Sequence, residues 1–178
     1  MKNIRSLAEQ YKTKIRILCG IEIATIPGKY EPGIEQDIKD YDYCLIEHID
    51  YEDSIVGNDL FAFCKKLGIT CGIAHTDLFK YCDDRGYDYL TFLSKMAQNN
   101  IFWEMNVSYD SIHQYKEHKY VSDLINDMVK LEIVKKSGLV VSLGSDCHSC
   151  EEYNGFKLHE THRILKSSGI KTFDGMIP

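Results

Sequence analysis

Five short apolar runs, each ending in a carboxylate, histidine or asparagine, constrain this chain more than any other feature of its sequence. They are IRILCGIE (15–22), YDYCLIEH (41–48), ITCGIAH (69–75), IFWEMN (101–106) and LVVSLGSDCH (139–148). Runs of this length, rich in β-branched residues and closed by polar or glycine residues, are typical of fully buried strands. Their terminal polar residues fall at 22, 48, 75, 104 and 146, in steps of 26, 27, 29 and 42. A strand, a crossover helix and two short connections need about that many residues. Ligand-type side chains at the carboxyl end of successive strands are what a β/α barrel site requires. In the last run Asp146 and His148 stand two apart, so an extended backbone points both to one side as a plausible pair of metal ligands.

The segments between the runs carry helical spacing or turn chemistry. Residues 1–13 read as a helix, as do 34–40, 61–67, 87–99, 119–137 and 157–167, several of them closed by glycine. The loop at 24–33 holds Pro27, Gly28, Pro32 and Gly33. TDLFKYCDDRG (76–86) reads as a long polar connection able to cover a site, and residues 108–120 as an irregular or short helical link. Residues 170–173 suit one more short strand. The 178 residues form one domain, α/β and barrel-like, with no internal sequence repeat.

Composition narrows the function. A net charge of −6 argues against a dedicated nucleic-acid surface, which draws its affinity from clustered Lys and Arg. No run approaches the roughly 20 apolar residues that span a membrane. The polar start MKNIRSLAEQYKTK lacks a signal-peptide core, which predicts a cytoplasmic protein. Seven cysteines, an odd number, read as free thiols in a reducing compartment. Cys19, Cys44, Cys64 and Cys71 lie in apolar runs as small core residues. Cys147-x-x-Cys150 has no second pair to complete a zinc site.

The motifs GIE (20–22), the strand-terminal His48, AHTDL (74–78), EMN (104–106) and GSDCH (144–148) resemble, in order and spacing, those of the PHP (polymerase and histidinol phosphatase) domain. HTDLFK at 75–80 is closer to the histidinol-phosphatase branch. The resemblance implies a distorted barrel of seven β/α units with up to three metal ions at the strands' carboxyl ends, and phosphoesterase activity. It implies one metal site of Glu22, His48 and His75, with Glu22 bridging to a second ion held by Asp146 and a third ion on His148. The ions would be zinc, manganese or iron, one to three in number. Asp146 and His148 are the candidate catalytic pair, and Lys80 and Arg85 the candidates for a substrate phosphate.

The chain departs from the family at its start. Family members open with strands ending in H-x-H and D-H, and neither motif is present here. The expected fold is therefore an incomplete or distorted TIM-like, PHP-type barrel missing its first two strands. An incomplete barrel leaves a sheet edge beside residues 15–22, to be covered by a homo-oligomer, a partner chain or the 1–13 helix. His113, His118, His159 and His162 are the histidines available as stand-in ligands. Asp77 reads as a turn residue or as the partner holding a ligand histidine, and Trp103 as core. The expected function is metal-dependent hydrolysis of a small phosphate monoester. The alternative is a weakly active or inactive domain that serves as a metal-binding or interaction module.

Overall fold

A computed structural model of the chain describes residues 2–31, 33–57, 59–108 and 118–173. Six parallel strands, β1 (Gly20–Ala24), β2 (Tyr43–Glu47), β3 (Cys71–Ile73), β4 (Ile101–Asn106), β5 (Val140–Gly144) and β6 (Lys171–Thr172), form one sheet in sequential order. The helices between them are α2 (Ile34–Asp37), continued by a 3₁₀ turn at Ile38–Asp40, then α3 (Leu60–Leu67), α4 (Leu78–Arg85) and α5 (Tyr89–Gln98). They are followed by α6 (Lys119–Ile125), α7 (Met128–Ser137) and α8 (Gly155–Ser167), while α1 (Lys2–Tyr11) precedes the sheet. Among the described residues no helix is long and apolar enough to cross a membrane.

Crossovers between parallel strands are right-handed, so a sequential order sends every helix to the same face of the sheet. Burial agrees. Ile23, Cys44, Ile46, Cys71, Ile73, Ile101, Trp103, Met105 and Val141 alternate along the strands and are buried in one continuous core. The register puts Ile23 beside Ile46, Ile46 beside Ile73 and Ile73 beside Trp103, a single apolar row under the helices.

The opposite face is divided along the strand direction. Toward the amino ends it is aromatic: the rings of Tyr43 and Phe102 lie over Gly20 and Gly72, where a Cβ would come within 2.4 and 2.3 Å of them. Phe173, just past β6, packs against both rings at 5.7 and 4.3 Å. Strands are spaced about 4.8 Å apart, so a flat sheet would put roughly 19 Å between β6 and β2. The contact requires the sheet to curl around this face. Among the described residues β1 and β6 do not pair, and the curled sheet stays open between them.

The sequence reading needs three changes. The first strand begins at Gly20, not residue 15; residues 12–16 are exposed, Ile17 and Leu18 half-buried and Cys19 buried. The segment read as a polar connection after His75 is α4, because Asp77 caps it by accepting from the amides of Phe79 and Lys80 and buries Leu78, Phe79, Tyr81 and Cys82. The single helix read over 119–137 is two, broken at Asn126, with Asp127 capping the second. All seven cysteines are free thiols; Cys44 and Cys71 meet at 3.5 Å in the core, and Cys147 and Cys150 are exposed.

Candidate metal centre

At the carboxyl ends of the strands the inner face turns from aromatic to acidic. Glu22 on β1, Glu47 on β2 and Glu104 on β4 alternate with residues of the apolar row and therefore point inward. His75 follows β3. Its Nε2 lies 3.4 Å from Glu22 Oε1 and 3.8 Å from Glu47 Oε2. One ligating atom from each of Glu22, Glu47 and His75 falls within 4.8 Å of the other two, the one such group of three among the described residues. Ligands at about 2.1 Å from a tetrahedral ion stand roughly 3.4 Å from one another, so the spacing fits an ion of zinc's size. Two carboxylates and an imidazole suit zinc, manganese or iron.

The backbone is unusual at the same places. Four non-glycine residues among those described have positive φ: His48 (64°), His75 (24°), Asn100 (54°) and Asp146 (43°). Asparagine, aspartate and histidine are the side chains other than glycine that enter this region most readily. Three of the four, His48, His75 and Asp146, are strand-end residues that the sequence motifs single out. A side chain with a Cβ costs on the order of 1–2 kcal/mol there, and such strain persists only where surrounding contacts impose it.

For His75 the imposing contact is visible. Glu104, nearly buried, accepts the His75 amide at 2.9 Å. Its other oxygen lies against Gly144, where a Cβ would come within 1.6 Å. Burial pushes the Glu104 carboxyl up to about 7, and the charges of Glu22 and Asp146 add to the effect of burial while the His75 amide and ring oppose both. Burial also works against a charged His75, yet the hydrogen bond with Glu22 and the charges of Glu104, Glu22 and Asp146 hold its pKa up at about 9. Glu22 is held below the usual carboxylate range, first by His75, with His48 and His148 also contributing. Glu47 is raised by burial and by Glu22. Carboxylates thus outnumber the cations facing them, as in a site built for a metal ion.

His48 stands at the rim. Its Nδ1 is buried and lies 3.3 Å from Glu47 Oε1 without a hydrogen bond's geometry, and its ring meets Tyr51 edge-on. Asp146 and His148 form a second pair, His148 Nε2 to Asp146 Oδ1 at 3.4 Å. The charge of Asp146 adds to the field on His75, and that of His148 to the field on Glu22. His118 is buried with its ring 5.3 Å from that of His75, while His113 lies outside the described residues. His159 and His162 line a separate cleft between α8 and the β5–β6 edge.

A cleft of about 580 Å³ opens beside His48 and His75, walled by Tyr51, Asp77, Lys80 and Lys119 among others. Lys80 pairs with Asp84, and Lys119 with Asp123 at 2.7 Å. Arg85 lies over the Tyr81 ring at 3.8 Å and donates to the Ile49 carbonyl, a structural role. Glu47 is the site residue the motifs do not single out. Treating the strand as running through residue 48 puts 47 and 48 on opposite sides, whereas the strand stops at Glu47 and the left-handed turn at His48 brings both side chains to the same rim. The signal was the alternation Tyr43, Leu45, Glu47.

Comparison of the chain with family models, with curated proteins and with solved structures finds no match.

Proposed function

We propose that the chain is a metal-dependent phosphoesterase that hydrolyses a small phosphate monoester, on a distorted barrel of PHP type open on one side. The observation that carries this reading is the convergence of Glu22, Glu47 and His75 at the carboxyl ends of adjacent parallel strands, beside a cleft walled by two lysines. Glu22, Glu47 and His75 would hold a divalent ion, which when bound would supply Lewis acidity toward a phosphoryl group and lower the pKa of water. The protein's own groups do the rest. Glu22, ionised across the neutral range, offers its oxygens without first losing a proton. Glu104 fixes the His75 backbone. Lys80 and Lys119 take the phosphate oxygens, leaving Asp84 and Asp123. The Asp146–His148 pair supplies the departing alcohol with its proton, released from His148 Nε2 as the contact with Asp146 opens.

Metal content by elemental analysis, beside turnover of p-nitrophenyl phosphate with zinc, manganese or iron, tests this. Bound metal and turnover, both lost in Glu22→Ala and His75→Ala, are expected. A metal-free folded protein with no turnover under any ion overturns it. A second reading, a metal-binding or interaction module with little catalysis, is favoured by one observation: the Asp146–His148 pair joins no group of three ligands among the described residues. About one equivalent of metal without turnover selects that reading.

A further inference from the structure

Among the described residues the apolar face of the first helix packs against nothing. Among the described side chains of α1 only Ala8 is half-buried; the others are exposed. Ile4, Leu7 and Tyr11 recur at helical spacing, and the stripe they form extends to Ile15; the four are 46, 48, 42 and 59% exposed. A ten-residue helix is marginal in water without packing. What fixes α1 is Arg5, which donates to both oxygens of Asp42 and to the Asp40 carbonyl. Both acceptors immediately precede β2, so α1 is tied to the amino end of that strand with its apolar stripe in solvent.

A complementary surface lies at the other end of β2. The loop at 50–55 exposes Tyr51 (51%) and Ile55 (40%) among exposed Asp50, Glu52 and Asp53. It is a fixed surface: Ser54 donates to the Tyr51 carbonyl at 3.1 Å, and Ile55 to that of Thr25 at 2.7 Å. Charge matches as well. The first sixteen residues hold five of the 21 Lys and Arg and one of the 27 Asp and Glu, so the remainder, with 16 against 26, carries the acidity.

We propose that α1 docks on the 50–55 loop of a second copy of this chain, in a two-fold dimer held by two such contacts. With α1 at the amino end and the loop at the carboxyl end of one strand, a two-fold axis across the strands sets each against the other, and both contacts form together. One helix about 15 Å long falls short of a stable interface of roughly 1,200 Å², and a second, reciprocal contact doubles the area buried. Two other partners are disfavoured. Edge-to-edge pairing centred on β1 would set Glu22 opposite Glu22 of the second copy, a like-charge pair. An anionic bilayer would repel the acidic remainder of the chain. The proposal does not depend on a bound metal.

Light scattering on the full chain at about 50 μM, above the Kd of a weak interface of this size, reads the mass directly. Twice the 20.5 kDa of one chain is expected. Ile4→Glu with Leu7→Glu, and separately Glu52→Lys with Asp53→Lys, are each expected to give the single-chain mass. All four side chains are exposed, so folding is not at stake. A wild-type chain of single mass, or a dimer that survives both pairs of substitutions, overturns the proposal. So does a monomeric wild type that co-sediments with phosphatidylserine vesicles, since the stripe then serves a lipid surface.

Discussion

At the scale of single residues, the contact between Glu104 and Gly144 is the tightest constraint in the site. Gly144→Ala drives a methyl into a buried carboxylate that cannot leave without releasing the His75 amide, and it is expected to cost about 2–4 kcal/mol. Glu104→Ala alone is also destabilising, but the double variant should cost less than the sum, because the clash disappears with the carboxylate. Urea unfolding of the four proteins measures the coupling, and strictly additive losses refute it. A second contrast lies within one rim. Glu47 is in the group of three and His48 is outside it, so Glu47→Gln should weaken zinc binding more than His48→Ala does, read by competition with a chromophoric chelator. The opposite ranking would return His48 to the ligand set that the motifs imply. These two neighbours also show where reading a sequence stops. Side-chain direction follows the strand period only while the backbone stays extended, and no letter announces that His48 has φ of 64°.

At the scale of elements, the link between α1 and the sheet has its own pH dependence. Burial raises the Asp42 carboxyl, but the Cys19 amide and Arg5 outweigh burial, and the net shift is downward. A carboxyl depressed on folding contributes stability above its unfolded pKa, near 3.9, and loses it as pH falls through the folded value. The α1 anchor is therefore expected to hold at neutral pH and to release below about 4, followed by NMR through slowed exchange of the Arg5 guanidinium protons. Asp42→Asn should release it already at pH 7, and a helix equally well anchored in that variant would show that other contacts hold it. Elements were legible where local chemistry was complete: Asp59, Asp88 and Asn154 each cap a helix found within a few residues of its expected start. The reading failed at α4, whose charged outer face, Lys80, Asp83, Asp84 and Arg85, masks the buried Leu78, Phe79, Tyr81 and Cys82.

At the scale of the whole molecule, curl depends on what the inner face holds. Phe173 joins β6 to Tyr43 and Phe102 across the concave side. Phe173→Ala is expected to lower stability by about 1–3 kcal/mol and to loosen β6, seen as faster exchange of the β5–β6 amides; exchange unchanged from wild type would mean that the helices alone set the curl. The parallel, sequential sheet follows from the regular steps between the apolar runs, since strands that far apart need a helix between them. Whether the sheet closes is a property of its two edges meeting, and no local pattern encodes that. The same sequential order bears on how the protein is made. Every strand pairs with its immediate predecessor, so no pairing waits for a distant part of the chain. Glu22, Glu47 and His75 come from β1, β2 and the end of β3, and all three are made before β4 to β6. A nascent chain holding β1 to β3 already contains the full ligand group, and an ion captured then would order that sheet while β4 to β6 are still to come.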